Sequence, residues 1–591
     1  MLFDPLSTLV SILVVAIYFA LSFIVPESDG KFNGSSNCLR KSIPPLLVLW
    51  VISAIGNLIA TLANLFNVGI LEMLELNSIR SYIFQTSLGR LQALQVLAAL
   101  ILLIVAPLVR RVGGAVVAFV IATIGLTAPV FESHSAQAGS HGLAIGSLVI
   151  HVFAISCWLG GVMALYLLDR ESRTLVLSRV ATVATWAVVA IVITGATNSL
   201  LRLGFSEDWL TPYGALVISK IAILGLISFI APRIRRNVAS DHLIKFESAL
   251  LIATIVIGAM LSRITPPVEG SLPIDPAREL VGVTMPAPPT WQRLFYEYEA
   301  DALILGLLVF VTALYIRGVI ALVRRGDRWP IGRTISFAIG ISLLDYSTSG
   351  GLGLYAIFSF QYHMIAHMVL SMIAPIFIVL SAPITLALRT LPQGRNNEER
   401  GIRRWFISIL NSRFSSIWTH PITALAIFDG SLFALYFTPL FGKLMSSHFG
   451  HIAMNLHFIG AGLLFFYVIV GIDPNPRRTH HLVRMVILLA AMSIHAFFSL
   501  ALMSSTTLID GGYYEALQRP WSTDLLADQK TGASLGWAMG EIPIIIAFIA
   551  TFIQWLRSDA REAKRADRNS ERDLAEYNRY LSELAERRKD S

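Results

Sequence analysis

An all-α, polytopic membrane bundle of about fifteen transmembrane helices is the fold class this sequence predicts. Three observations predict it. Of the 591 residues 55% are apolar and only 14% charged, with a mean hydropathy of +0.66, whereas soluble proteins carry roughly 25% charged residues. Apolar stretches long enough to cross a bilayer, about 20 residues each, recur along the chain. Basic residues gather in alternate gaps between them, as membrane topology demands.

The expected spans are 6–25, 44–66, 88–109, 113–131, 143–168, 178–201, 212–231, 246–262, 300–322, 333–357, 361–388, 418–440, 451–471, 482–505 and 535–557. The first lacks Lys or Arg ahead of its apolar run and is long enough to span, so it reads as a retained helix rather than a signal peptide. Asp345 and the run Ser347-Thr348-Ser349-Gly350-Gly351 interrupt the stretch 333–357. Pro375 and Pro383 predict a kink in 361–388.

Alternate loops carry Lys31, Arg40 and Lys41; Arg110 and Arg111; Arg170 and Arg173; Arg233, Arg235, Arg236 and Lys245; Arg324, Arg325 and Arg328; Arg395, Arg403 and Arg404; and Arg477, Arg478 and Arg484. The tail continues the series. The positive-inside rule then puts the N-terminus outside and the C-terminus in the cytoplasm. The net charge of +8 does not point to nucleic acid, because it is spread through these short runs. Cys38 falls in a loop and Cys157 in an apolar stretch, so no disulfide framework is expected.

Four regions are expected. Residues 1–262 form an eight-helix module, and 263–299, with seven prolines, an extracytoplasmic linker. Residues 300–557 form a seven-helix module, and 558–591 a charged helical tail. Leu574, Tyr577, Leu581 and Leu584 recur there at helical spacing. The tail reads either as a solvated extension of the last span or as a docking helix.

Nine of the 13 histidines fall on the predicted outer side: His134, His141, His151, His363, His367, His448, His451, His457 and His495. The other four, His242, His420, His480 and His481, lie in or beside basic cytoplasmic loops. Polar side chains within a membrane are costly and usually functional. The sharpest local pattern is His363-Met364-x-x-His367-Met368. Residues four apart share a helix face, and imidazole with thioether suits Cu(I). The bland alternative is a hydrogen-bonded histidine pair with methionine filling gaps. His451, Met454 and His457 form a second set. His495 follows Met492 at i+3, and Glu541 is a carboxylate that needs a partner. Asp429 has a similar claim. In the first half, His134 and His151 bracket one mouth of the bundle, and Trp158-Leu159-Gly160-Gly161 permits close helix approach.

These residues carry two resemblances. Residues 130–262 resemble the copper resistance protein CopD family through His134, His151-x6-Trp158-Leu159-Gly160-Gly161, and Thr211-Pro212-Tyr213-Gly214 followed by Lys220. Residues from about 300 to 570 resemble the cytochrome c oxidase assembly factor CtaG family. The marks there are His363-x3-His367 with Pro375, His457-Phe458, Gly471-Ile472-Asp473-Pro474, His495-Ala496-Phe497-Phe498, Ala527-Asp528-Gln529, Trp537-x3-Glu541-x-Pro543, and Trp555-Leu556-Arg557-Ser558-Asp559. The fused order is similar to two-module proteins of actinobacteria.

The resemblance implies copper captured outside the cell and either imported or delivered to haem-copper oxidase subunits, with extracytoplasmic copper chaperones as further partners. It implies metal ligation by His363, His367, His457, His495 and Glu541. Met364, Met368, His451, His134 and His151 are added from the residue patterns. No catalytic constellation or nucleotide-binding glycine loop stands out, so no enzyme is expected. A b-type haem electron carrier, its iron held by paired histidines, is the alternative, and a metal-free assembly scaffold a third. An open or shallow site is expected, since a closed one would not release its ion.

Overall fold

The computed structural model describes residues 3–28, 30–32, 36–69, 75–132, 140–236, 241–262, 264, 267, 275–393, 401–477 and 479–589. Among them, thirteen helices are long and apolar enough to cross a membrane. They are α1 (Phe3–Ile24), α2 (Asn37–Phe66), α3 (Ser87–Leu108), α4 (Val112–Glu132), α5 (His141–Leu167), α6 (Ser172–Leu203), α7 (Pro212–Arg233), α8 (His242–Leu261), α9 (Ala302–Arg324), α10 (Phe360–Leu380), α11 (His448–Val470), α12 (His481–Met503) and α13 (Leu525–Leu584). The chain is an all-α, multi-pass membrane protein. The one ribbon among the described residues is the pair Glu27–Ser28 and Lys31–Phe32 after α1.

Two of the fifteen expected spans fall short of that length and apolarity. The stretch 333–357 divides into Ile331–Thr348 and Gly351–Phe358. Its break lies at Ser349-Gly350, inside the polar run. The stretch 418–440 is two short helices, Pro421–Phe428 and Gly430–Tyr436, which meet at Asp429. The kink expected in 361–388 takes a particular form. After His367 and Met368 the backbone widens into one π-helical turn, Val369–Ile373, and α10 ends at Leu380. Ala382 turns left-handed (φ 55°) and Pro383 opens a new helix. Proline lacks the N–H that a helix interior needs but fits a first turn.

Two main cores hold the molecule. The first joins α1–α8. The second is built mainly from α10–α13 and the short helices around them, yet it also contains Phe131, Ile145 and Val149 of the first half. The halves therefore share apolar surface, and α5 packs directly on α9. Polar contacts seal one end of that seam. His448 Nε2 lies 3.2 Å from Asp301 Oδ2, the His141 and His448 rings meet edge to face at 5.0 Å, and Ser140 donates to Glu299. The described part of 263–299 is folded against the second half: Trp521 Nε1 donates to Pro286 O and Tyr355 Oη to Ala287 O, at 3.0 and 2.7 Å.

The helix of α13 continues without a break to Lys589, 65 residues in all, roughly 97 Å at the usual rise. Leu574, Tyr577, Leu581 and Leu584 in its last part are exposed.

Candidate functional site

The start of α10 is fixed by a carboxylate from the far end of the chain. The first amides of a helix lack partners within it, and a negative charge there is favoured by the helix dipole. Asp528, in the first turn of α13, accepts from Ser359 Oγ at 2.8 Å, Phe360 N at 3.0 Å and Gln361 N at 3.3 Å. It is also paired with Arg519 at 2.9 Å, with both side chains 1% exposed. Arg519 in turn donates to Phe358 O and Ser522 O, at 2.9 and 2.6 Å.

One turn into this anchored helix come the two histidines. His363 and His367 are 0% and 1% exposed, and their ring centroids lie 3.9 Å apart. Both rings meet the hydroxyl of Tyr436, His363 through Nε2 at 3.0 Å and His367 through Nδ1 at 2.8 Å. The opposite nitrogens, His363 Nδ1 and His367 Nε2, are buried and make no hydrogen bond of good geometry, although the Ala356 backbone lies near His363 and the Asn455 side chain near His367. Phe441 covers His363 at 5.0 Å between centroids, and Phe458 covers His367 at 4.2 Å. The site is therefore closed, not open or shallow as expected. The bulky aromatics of the neighbouring helices fill the space over the rings.

The remaining residues singled out in the sequence sort by distance from this pair. His451 of α11 is near enough to act electrostatically on both rings, and His457 acts on His367. His457 itself is exposed on α11. Met364 and Met368 are buried beside the pair. Met364 lies against Gly536 of α13, in the space a side chain there would fill.

His495 of α12 meets the same glycine from another side, its Nε2 3.2 Å from Gly536 O, and its Nδ1 is buried without a partner. Gly540 leaves room for its ring. Beyond it stand two carboxyls. Both oxygens of buried Asp429 and Oε1 of Glu541 have no hydrogen-bond partner, and Glu541 acts electrostatically on Asp429. His151 lies in a separate cavity of the first half, bonded through Nδ1 to Thr194 Oγ1 at 3.0 Å. His134 lies outside the described residues. Among the described residues, no three His, Cys, Asp or Glu side chains form a group that could hold a metal ion.

Sequence reasoning missed Tyr436 and Asn455, the latter a buried residue of α11 beside His367. Tyr436 sits in the run Leu435-Tyr436-Phe437, where an aromatic reads as core, and no local signal marks it. Asp528 was quoted only within a motif. Its place at the start of a different helix has no signature in sequence.

The comparisons with known proteins follow the same division. Residues 12–143 match the copper resistance protein D-like N-terminal domain, 174–261 copper resistance protein D, and 313–558 the cytochrome c oxidase caa3 assembly factor. An uncharacterized protein of Mycobacterium leprae is 28% identical over 592 residues, covering 97% of this chain and 87% of that relative. One of Mycobacterium bovis is 38% identical over 314 residues, 52% of this chain and 48% of the relative. The copper transport protein CutJ of Bacillus subtilis is 27% identical over 212 residues, 32% of this chain and 39% of its own length. No solved structure matches the chain.

Proposed function

We propose that this chain, which joins copper resistance protein D-like domains to a caa3 oxidase assembly factor-like module, binds Cu(I) from the extracytoplasmic side and delivers it to the haem-copper oxidase of the same membrane. A soluble copper chaperone outside the cell would be the donor. Copper is cargo here, taken up and released, and no bond chemistry is assigned to the chain.

The observation that carries the reading is the pair of fully buried imidazoles, each with one ring nitrogen that makes no hydrogen bond of good geometry. An unsatisfied buried polar atom costs about 1–3 kcal/mol, and native interiors rarely leave two side by side. A soft monovalent cation satisfies both, since imidazole suits Cu(I), and a buried methionine, Met364 or Met368, follows each histidine in the chain.

Proton accounting then assigns roles. A neutral imidazole has one N–H and one lone pair. For His363 Nδ1 and His367 Nε2 both to present lone pairs, His363 Nε2 and His367 Nδ1 must both carry protons. Both then donate to the oxygen of Tyr436. Tyr436 thus holds the pair in the ligating tautomer, in the manner of groups behind metal-bound histidines. His451 flanks the pair from α11, the span that begins at the seam between the halves. His495, Glu541 and Asp429 also carry buried polar atoms without hydrogen bonds. They are our candidate exit groups, with carboxylates to favour a departing cation.

The haem reading draws no support from this pair. Ring centroids 3.9 Å apart on one helix leave no room for a porphyrin between two axial ligands.

The test uses the full-length protein and a His363→Ala/His367→Ala variant, with Cu(I) measured by competition against a chromophoric chelator. The parent should bind Cu(I) and the variant should lose it, and a strain carrying the variant should assemble oxidase depleted in copper, with rescue by added copper. Unchanged Cu(I) binding in the double variant sinks the site. Loss of binding with fully copper-loaded oxidase sinks delivery and favours storage.

A further inference from the structure

The first half contains a partly open cavity of about 1390 Å³ walled by all eight of its spans. Its walls are mainly aliphatic. Of the ligands that suit Cu(I), imidazole, thioether and thiolate, the described lining offers only His151. What it offers instead is positive charge. Lys220 lies eight residues into α7, roughly 12 Å along the axis, where a cation is expensive without a counter-charge. The charged group acting on it is another cation, Arg202, and no carboxylate acts on it. It takes part in no ion pair or hydrogen bond among the described residues. Lys220 and Arg202 both act on His151.

His151 is fixed in orientation by one hydrogen bond. The single proton of the Thr194 hydroxyl goes to Ala190 O at 2.7 Å, so this oxygen accepts from His151 Nδ1–H. The lone pair is left on Nε2. Arg202 donates to Tyr213 Oη at 2.7 Å, which fixes its guanidinium at the wall. The two lining carboxylates sit at span ends, Asp4 in the first turn of α1 and Glu132 in the last residue of α4. The middle of the cavity is therefore an apolar chamber with Lys220 on its wall, and among the described residues no carboxylate pairs with that lysine.

We propose that this cavity binds an amphiphilic anion, a carboxylate or phosphate head on an apolar body. The head lies against Lys220 with Arg202 beside it, and the body runs along Ile155, Ile191 and Leu224. A bare copper ion is the guest that this charge pattern repels. Copper passing through the first half would travel as a complex whose ligands make it anionic. The head can belong to a membrane lipid or to a molecule entering from water.

The experiment compares a fluorescent carboxylate, cis-parinaric acid, with its uncharged methyl ester on the full-length protein in nanodiscs of phosphatidylcholine. The acid should bind the parent at least about tenfold tighter than the ester, the range of one charge-assisted hydrogen bond. Lys220→Met should bring acid and ester together, and Lys220→Arg should restore the preference. Equal affinity of the two probes for the parent overturns the proposal without recourse to any variant. So does an undiminished preference in Lys220→Met. Given the preference, weakened probe binding in phosphatidylglycerol discs assigns the site to a lipid head, and unchanged binding assigns it to an anion from water. Either result upholds the site.

Discussion

At the scale of single residues, one phenol oxygen between two imidazoles governs what His363 and His367 can do. Tyr436 meets both rings at hydrogen-bond distance. Tyr436→Phe removes that hydroxyl and leaves two more ring nitrogens unsatisfied. We expect a loss of about 1–3 kcal/mol in stability in a denaturation series, and Cu(I) affinity lower by roughly tenfold or more, since partners behind a metal ligand are worth about 10–100-fold. Unchanged affinity in Tyr436→Phe would show that the rings need no help to ligate. Phe441 covers His363. Phe441→Ala should speed Cu(I) transfer to a competing chelator, followed by stopped-flow absorbance, with little change in the number of ions bound. The two histidines were legible in the sequence because i, i+4 spacing is a local property. Tyr436 was not, because it lies on another helix and its contact depends on how the two pack.

At the scale of elements, two carboxylates from conspicuous motifs cap helices far from them in the chain. Asp528 caps α10, and Asp473 caps the helix Pro383–Thr390 through Ile384 N and Thr385 N at 3.0 and 2.8 Å. Removing one member of a buried ion pair costs about 3–5 kcal/mol, because the survivor stays buried and unpaired. Asp528→Ala should show that loss in thermal melting, and the double variant Arg519→Met/Asp528→Leu should be milder than Asp528→Ala alone. An additive double variant would show that the pair is not coupled. The break in 333–357 was legible from its polar run. The π-turn after Met368 was not, since proline marks a disturbance without stating its form. π-Turns often occur at functional sites, and this one follows directly on the histidine pair.

At the scale of the molecule, the halves share a core and a polar seam instead of hanging on a free tether. The seam lies at the end where the charge pattern puts the outside. That orientation has a direct test in a Cys38→Ser background, where the other cysteine, Cys157, is buried. Ser206→Cys, in the loop between α6 and α7, should react with an impermeant maleimide on intact cells. Arg328→Cys, after α9, should react only once the membrane is opened. The reverse pattern would invert the topology and remove the extracytoplasmic copper route.

The sequence by itself determined the class of the molecule, the approximate places of thirteen spans and the face-sharing histidines. Each of these depends on neighbours within a few turns: apolar run length, charge beside a span, and the 3.6-residue period. Tertiary structure alone decided which ring nitrogens lack a well-formed hydrogen bond, that the pair is covered by aromatics, and that basic groups of three helices line one cavity whose lining carboxylates, Asp4 and Glu132, sit at span ends. Such contacts join residues many turns apart, so they depend on packing angles and side-chain volumes that no local pattern encodes.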